Sequence, residues 1–271
     1  MNSSIEAIYG AHVERKISRR LENQDASEED ALLQKNEWRE VIKAIEGTLP
    51  LYDQVNDLIS LGQAQRARRY AVQNLDLRNG IHVLDSGIGP GNTSTLVLSK
   101  IKPELLVGLD GSVRLLNTAR SKLRDINTQV VELIRAVFEF LPFRDGVFDI
   151  VVTSYALRDS LDLPKSLYEY SRVCSSHGQL AIVDIGKPDN PFTRGVSALY
   201  IRLLVPVIAK IATIGKMHGN PWLKLFRTYV PLPTNRDLVK DVKRSFPKAE
   251  LREFLMGGVI VILCKKDLIS I

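Results

Sequence analysis

Seven short apolar runs organise the chain from residue 81 onward, with stretches of helical spacing between most of them. In order they read IHVLD, ELLVGLD, VELIRA, FDIVVTS, GQLAIVDI, AELREFL and GVIVILC. Apolar runs without strict alternation are typical of strands buried on both faces of a mostly parallel sheet. Because only MGG separates the last two runs, the final strand is predicted to pair antiparallel with its predecessor.

Two segments depart from this strand pattern. Residues 1–46 are rich in charge and in helix-forming residues, which predicts a helical N-terminal extension ahead of a main domain at 47–271. Residues 188–246 lie between the fifth and sixth runs and predict a helical insertion that forms a lid.

The apolar part of that insertion, Val196 to Ile214, raises the question of a membrane span. Arg202, Pro206 and Lys210 interrupt it, whereas a spanning helix needs about 20 mostly apolar residues in a row. We therefore expect an amphipathic lid or an interfacial segment rather than a span.

Composition fits a globular protein with a full core. The 271 residues are 45% hydrophobic and 25% charged, and the net charge of +6 with a pI of about 9.3 favours anionic partners. The two cysteines, Cys174 and Cys264, lack partners at metal-ligand spacing, so neither a disulfide framework nor a metal site is expected. The N-terminus lacks the apolar core of a signal peptide, which predicts a cytoplasmic protein.

The segment LDSGIGPGNTS, residues 84–94, follows the first predicted strand and contains Gly87, Gly89 and Gly91. A glycine-rich turn that opens a helix offers backbone N–H groups and lets a ligand approach closely. Asn at position 92 breaks the dinucleotide pattern G-x-G-x-x-G, and no Gly-Lys-Ser/Thr follows as in a P-loop. Asp85 stands two residues before the first glycine.

The pattern D-x-G-x-G-x-G resembles that of doubly wound S-adenosylmethionine-dependent methyltransferases. The resemblance implies a Rossmann-like, seven-stranded, mostly parallel α/β sheet and S-adenosylmethionine as cofactor, with S-adenosylhomocysteine as product. Asp85 would meet the ammonium group, and Asp110, which ends the second run, would accept the ribose hydroxyls. A tight turn with an N-capping Asp110 is the purely structural alternative.

Three further segments resemble the ubiquinone/menaquinone-biosynthesis C-methyltransferase family. They are YDQVNDLISLG (52–62), EFLPFRDGVFDIVVTSYALRD (139–159) and SLYEYSRVCSSHGQLAIVDIGKP (166–188). The resemblance runs from about residue 49 to 265 and is weakest in 196–246. It implies C-methylation of a prenylated quinol precursor or a related lipid-like aromatic molecule.

The resemblance assigns cofactor-binding residues along the chain. Phe138 and Glu139 would flank the adenine, although this chain has Val137 and Phe138 where the family usually has Asn or Asp and then Ala. A surface glutamate is the alternative for Glu139. The other residues line the methionine end, the ribose and the sulfonium side; they are Asp85, Gly87, Gly89, Gly91 and Ser94, then Asp110, Gly111 and Ser112, then Ser154 and Tyr155.

A ring carbon becomes nucleophilic when a neighbouring hydroxyl loses its proton, so the enzyme needs a base near the cofactor. Candidates are Tyr52, Arg158 and Asp159, the last of which replaces an Asn of the family. We hypothesise that Arg158 stabilises phenolate charge while Asp159, or a water it holds, takes the proton. In the alternative, Arg158 and Asp159 form an ion pair that caps a helix from about Leu163, although Asp162 is the more natural N-cap there.

The insertion is expected to select the acceptor. Its apolar stretch is flanked by cations and predicts a peripheral contact with an anionic membrane, at the inner face of the cell membrane; the cations are Lys210, Lys216, Lys224 and Arg227. A lid that merely completes the core is the alternative.

Other functions remain open as alternatives. TSYALRD differs from the motif of amine-methylating nucleic-acid enzymes, so a nucleic-acid substrate is not favoured. Methylation of another small molecule or lipid, a cofactor-binding scaffold without turnover, and a homodimer stay open.

Overall fold

The computed structural model describes residues 46, 49–127, 130–214 and 221–266. The side chains at 50, 52, 125, 127, 221 and 224 fall outside this description. Except for Glu46, the predicted N-terminal extension also lies outside the described residues, as does Lys216.

The core is one seven-stranded sheet with the strand order β3-β2-β1-β4-β5-β7-β6. β7 pairs antiparallel with both β5 and β6, and the other pairs are parallel. This confirms the predicted doubly wound, mostly parallel sheet and its antiparallel final strand. The strands are β1 (His82–Ser86), β2 (Leu105–Asp110), β3 (Val131–Arg135), β4 (Phe148–Ser154), β5 (Cys174–Ile185), β6 (Lys248–Phe254) and β7 (Val259–Lys265).

Helices cover both faces of the sheet. They are α1 (Tyr52–Ile59), α2 (Gln63–Gln73), α3 (Asn92–Leu98), α4 (Val113–Asn127), α5 (Leu163–Val173), α6 (Pro191–Leu199), α7 (Val205–Ala212), α8 (Leu225–Tyr229) and α9 (Asn235–Ser245). Neighbouring strand residues such as Val83 and Leu84 are buried on opposite faces, against α2 and α3 on one side and α5 and α9 on the other. Burial on both faces is why the strand sequences show no alternation.

Two helix starts follow their sequence signals. The Asp162 side chain accepts a hydrogen bond from the backbone N–H of Lys165 and caps α5, with a proline in its first turn. Thr234 caps α9 in the same way through the N–H of Asp237. α9 packs into the core through Leu238 and Val242, so the final part of segment 188–246 belongs to the sheet layers.

The first part of that segment forms the lid helix, Pro191–Ala212, in which a π-helical turn at Tyr200–Leu204 joins α6 to α7. This π-helical turn ends two residues before Pro206, whose ring cannot fit an unbroken α-helix. Ile201, Val205 and Ala209 are buried on one side of the helix.

The lid helix is long and apolar enough to cross a membrane, a property that we had not expected from its interrupted sequence. Its buried side packs in a cluster with Val55 of α1 and with Trp222. A spanning orientation would have to break those contacts, whereas an orientation in the plane of the membrane surface would keep them.

Candidate functional site

The polar residues predicted for the site meet at the carboxyl edge of the parallel strands. Asp85 lies near the end of β1, Asp110 ends β2 and Ser154 ends β4. Asp184, near the end of β5, joins them there. This edge of a doubly wound sheet is where ligands bind, because the strand order reverses at β1 and opens a crevice.

The glycine loop connects β1 to α3 and folds back over β2. Gly87, Gly89 and Gly91 have φ angles of +77°, +52° and +88°, a left-handed region that glycine adopts without steric penalty. The N–H groups of Gly87 and Ile88 donate to the carbonyl of Leu109. Alternating left-handed residues therefore explain why the glycines recur at every second position.

Gly87 is also required for close packing. A Cβ atom built on Gly87 would lie 2.3 Å from Cβ of Ala156 and 3.3 Å from the Phe138 ring. The chain thus brings the glycine loop, the loop after β4 and Phe138 into direct contact.

Asp85 is buried and is held by Ser94. Its Oδ2 accepts hydrogen bonds from the backbone N–H of Ser94, at 3.0 Å, and from its hydroxyl, at 2.6 Å. Burial raises the pKa of Asp85 to about 6, against the lowering effect of these hydrogen bonds. Both donors of Ser94 are bound to Asp85, so Ser94 positions that carboxylate, and its predicted place at the methionine end stays a prediction.

Asp110 bridges the glycine loop and the start of α4. Its Oδ2 accepts from the N–H of Gly89 at 3.0 Å, and its Oδ1 accepts from the N–H of Ser112 at 2.9 Å. Burial raises the pKa of Asp110 to about 6, and nearby Glu46 adds to the rise. Gly111 lies between these residues, and the Ser112 hydroxyl donates to Glu46. A carboxylate has about four acceptor positions, so Asp110 can accept from a ribose hydroxyl beside the structural hydrogen bonds.

Glu139 lies inside the protein, so the alternative of a surface glutamate is wrong. Its Oε1 accepts hydrogen bonds from the Ser160 hydroxyl and from the N–H groups of Leu161 and Asp162. This carboxylate therefore holds the turn before α5, and contact with adenine stays a prediction for Glu139. Phe138 is half-buried against the glycine loop, where its ring could stack on a base.

Arg158 and Asp159 lie in the 3-10 turn that follows β4. Nη1 and the backbone N–H of Arg158 donate to the two oxygens of buried Asp184, at 2.9 and 3.1 Å. Nε of Arg158 is 3.8 Å from Oδ1 of Asp159. The predicted ion pair between Arg158 and Asp159 is therefore present, but it does not cap α5, because Asp162 is the cap; Asp184 is the closer partner of Arg158.

Asp159 lies beside this pair with 12% of its side chain exposed. Burial raises the pKa of Asp159 to about 6; the guanidinium of Arg158 lowers it, and the charges of Asp184 and Asp110 raise it. A carboxyl with such a pKa is mostly ionised at neutral pH and is a stronger base than an ordinary aspartate.

Arg68 of α2 is a site residue that the sequence analysis missed. Its Nε donates to the Ser154 hydroxyl at 3.0 Å, and its guanidinium lies 4.8 Å from the centre of the Tyr155 ring. Tyr155 has a left-handed backbone with φ of +58°, which is uncommon for a bulky residue and typical of functional sites. A signal was present, since Arg68 falls on the apolar face of α2 with Ala64, Ala67 and Ala71.

The YDQVND motif forms α1 and connects the glycine loop to the lid. Asp53 accepts a hydrogen bond from the Asn92 side chain and pairs with Lys122 at 3.0 Å. Asn56 accepts from the indole N–H of Trp222 at 3.2 Å. Tyr52 begins the helix, and its predicted role lies outside the described side chains.

A cavity of about 330 Å³ lies between the sheet edge, α1 and the lid helix. Its walls are mainly apolar, and Arg68, Tyr155, Arg158 and Asp159 provide polar groups. Leu61, Val196 and Met256 line the cavity and are exposed, so they mark its mouth. Within the described ranges, no group of three or more His, Cys, Asp or Glu side chains could hold a metal ion.

Comparisons with known proteins agree on a methyltransferase. The model of the ubiE/COQ5 methyltransferase family matches residues 33–243. Demethylmenaquinone methyltransferase of Listeria welshimeri is 33% identical over 171 residues, which are 63% of this chain and 72% of the relative. The ubiquinone/menaquinone biosynthesis C-methyltransferase UbiE of Geobacter sp. strain M21 is 29% identical over 237 residues, with 84% of this chain and 96% of the relative covered.

Solved structures share the fold at low identity. The CurJ carbon methyltransferase superimposes with a TM-score of 0.53 at 13% identity, covering 90% of this chain and 72% of the other. A SAM-dependent methyltransferase of Aquifex aeolicus gives 0.50 at 15% identity, covering 73% of this chain and 89% of the other.

Proposed function

The chain belongs to the ubiE/COQ5 methyltransferase family and is an S-adenosylmethionine-dependent methyltransferase, and from this premise we propose that it methylates a ring carbon of a prenylated quinol precursor. The observation that carries the proposal is the apolar cavity beside the cofactor crevice, with a carboxylate and two guanidinium groups among its lining residues. Such a cavity suits an aromatic ring with an acidic hydroxyl and an apolar tail.

The residues of the crevice fit the cofactor. Oδ1 of Asp85 is buried and has no hydrogen-bond partner among the described residues, so it can accept from the ammonium group. Asp110 would bind the ribose, and the left-handed glycines leave room for the methionine moiety. When bound, S-adenosylmethionine supplies an electrophilic methyl group on a sulfonium and leaves as S-adenosylhomocysteine.

The chain's own residues prepare the acceptor. Asp159 takes the proton of the ring hydroxyl, and Arg158, fixed by Asp184, keeps Asp159 ionised near neutral pH. The apolar walls of the cavity keep water away from the reacting carbon, and the lid helix supplies one wall. Alignment of this carbon with the methyl group provides much of the rate acceleration.

Deletion of the gene in its host, followed by mass spectrometry of lipid extracts, tests the proposed substrate. We expect a quinone that is lighter by one methyl group, and we expect the wild-type gene but not an Asp159→Asn variant to restore the normal mass. An unchanged quinone pool after deletion would refute the proposal and favour another small molecule or lipid as acceptor.

We also propose that the protein works on the cytoplasmic surface of a membrane, with the lid helix lying in the interface. A stripe of exposed apolar side chains runs along one face of this helix and continues to Ile214, two residues beyond its end. Its members are Phe192, Val196, Leu199, Leu203, Val207, Ile211 and Ile214. The spacing of three or four residues keeps the stripe on one side, opposite the buried Ile201, Val205 and Ala209. Val196 belongs to this stripe and also lines the cavity, so the mouth of the cavity adjoins the stripe.

The charge of this region complements anionic lipid. Residues 190–235 contain no Asp or Glu and carry six cations, which are Arg194, Arg202, Lys210, Lys216, Lys224 and Arg227. Each basic residue near an anionic surface contributes about 1 kcal/mol of attraction. A substrate with a prenyl tail could then pass from the bilayer to the cavity without crossing water.

Flotation with vesicles tests the membrane proposal. We expect the wild type to float with phosphatidylglycerol-containing vesicles, and the triple variant Leu199→Ser, Leu203→Ser, Val207→Ser to stay in the soluble fraction. The control is the variant Ile126→Ser, Tyr168→Ser, which removes exposed apolar side chains from α4 and α5 and should float like the wild type. Equal flotation of both variants would refute the role of the stripe.

A further inference from the structure

Arg68 is a charged residue in a position that normally holds an apolar one. It lies on the buried face of α2 between Ala64, Ala67, Ala71 and Val72, and only 5% of its surface is exposed. A buried charge is several kcal/mol less stable than a hydrated one unless a partner compensates it. Its presence in this place therefore requires an explanation.

The partners of Arg68 within the described residues compensate the charge only in part. Its Nε donates to the Ser154 hydroxyl, and the guanidinium lies over the Tyr155 ring. No carboxylate of the described ranges forms an ion pair with it. Its charge does lower the pKa of Asp85, which shows that it acts on the cofactor side as well.

Arg158, whose guanidinium lies 6.0 Å from the centre of the Tyr155 ring, is in a different situation. Asp184 binds Arg158 directly, and Asp159 lies 3.8 Å from it. Two carboxylates therefore match the charge of Arg158, and stabilisation of the phenolate by Arg158 stays a prediction. Of the two guanidinium groups in the cavity wall, Arg68 is the one available to an anionic ligand.

We infer that Arg68 binds the ionised oxygen of the acceptor. This inference rests on the proposed function, since a phenolate forms only if the acceptor is an acidic aromatic molecule. The hydroxyl proton passes to the carboxylate of Asp159, and the negative charge that remains on the acceptor oxygen is held by the guanidinium of Arg68. The hydrogen bond to Ser154 fixes Arg68 at the end of β4, the edge of the sheet at which the predicted cofactor residues meet.

Binding of 4-nitrophenol to the protein saturated with S-adenosylhomocysteine tests this inference without turnover. The ionisation of this probe is visible by absorbance, so its apparent pKa in the bound state can be titrated. We expect the wild type to lower this pKa by at least about one unit, which is a tenfold preference for phenolate. Arg68→Lys should keep most of the shift, and Arg68→Met, which retains an apolar side chain of similar length, should abolish it.

Arg69 provides the matched control, because it is the next residue of the same helix and is exposed. Arg69→Met should leave the shift of the probe unchanged. Calorimetry with S-adenosylhomocysteine establishes that every variant is folded. An equal pKa of the bound probe in the wild type and in Arg68→Met, or no binding of the probe to the wild type, would overturn the inference.

The result of the probe titration can be separated from the result of the gene deletion that tests the proposed function. If the quinone pool is unchanged by gene deletion but the probe shift depends on Arg68, the site binds phenolates and the natural acceptor is a different acidic aromatic. If deletion yields the lighter quinone and the shift is absent, the proposed function stands and the role of Arg68 is refuted.

Discussion

Asp159 lies in an environment unlike that of an ordinary surface carboxylate. Burial raises its pKa to about 6, so it is ionised above that pH and protonated below it. A base acts only when ionised, and turnover should therefore fall as the pH drops through about 6. At saturating cofactor, we expect Asp159→Asn to lower kcat by about 10²- to 10⁴-fold and to remove this acid limb from the pH profile.

The matched control for this substitution is Asp162→Asn. Asp162 is exposed, lies three residues further on and caps α5, a function that asparagine retains. It should keep the activity and the pH profile of the wild type. A full kcat in Asp159→Asn, measured at saturating acceptor, would show that Asp159 is not the base.

Gly87 allows a second prediction at the scale of one residue. Gly87 and Gly80 share a φ angle of +77°, but only at Gly87 would a Cβ atom collide with another atom, the Cβ of Ala156 at 2.3 Å. Both alanine variants incur the strain of the left-handed region, about 1–2 kcal/mol. Urea unfolding should show a clearly larger loss of stability for Gly87→Ala than for Gly80→Ala; equal losses would contradict the packing interpretation.

At the scale of secondary-structure elements, the lid is attached to α1 through Trp222. This side chain is buried among Val55, Ile59 and Val205 and donates to Asn56. Removing a buried tryptophan side chain destabilises its surroundings by about 3–5 kcal/mol. We expect Trp222→Ala to open the lid, which should raise the KM of the acceptor about tenfold or more and expose the lid region to proteolysis.

Among the described residues, Trp222 packs against α1 and the lid helix, so the affinity for S-adenosylhomocysteine should change less than twofold in this variant. Leu223→Ala is the control, because Leu223 is the next residue and is exposed. If Trp222→Ala lost affinity for cofactor and acceptor alike, the lid would be part of the cofactor site, contrary to the arrangement described here.

How much of this arrangement the sequence could predict depends on the range of the contacts. Asp85 lies near the end of β1 and Asp110 ends β2; both could be found from local patterns, because parallel strands end at one edge. The hydrogen bond from Arg68 to Ser154 joins residues 86 positions apart, and that from Trp222 to Asn56 joins residues 166 positions apart. No local pattern encodes such pairs, so the roles of these side chains required the fold.

The sequence also predicts the ends of strands and the burial of loop residues less well than the order of the strands. β5 begins at Cys174, four residues before the predicted run. The pattern of apolar residues missed this start because Ser175, Ser176 and His177 are polar. Glu139 lies in a stretch that reads as a loop, and only tertiary contacts with the turn before α5 bury it.

At the scale of the whole molecule, three carboxyl groups with raised pKa values gather at one edge of the sheet. Asp85, Asp110 and Asp159 all have a pKa raised by burial from 3.8 to about 6. In the unfolded chain they lose their protons near pH 4, so at pH 5 the folded state binds more protons than the unfolded state. Stability therefore increases as the pH falls from about 7 to about 5 in the absence of cofactor.

The bound cofactor should reverse this trend, because its ammonium and ribose hydroxyls favour the ionised forms of Asp85 and Asp110. Affinity for S-adenosylhomocysteine should decrease below pH 6, by up to tenfold per pH unit for each carboxyl that must ionise.

We expect the melting temperature to be higher at pH 5 than at pH 7.5 without ligand, and the stabilisation by ligand to be larger at pH 7.5. In Asp85→Asn the rise in melting temperature at low pH should be smaller and the pH dependence of binding weaker. If the cofactor-free protein instead lost stability between pH 7.5 and pH 5, ionisation of these carboxyls would not destabilise the folded state. The interpretation that the fold tolerates this destabilisation in order to bind a positively charged ligand would then be wrong.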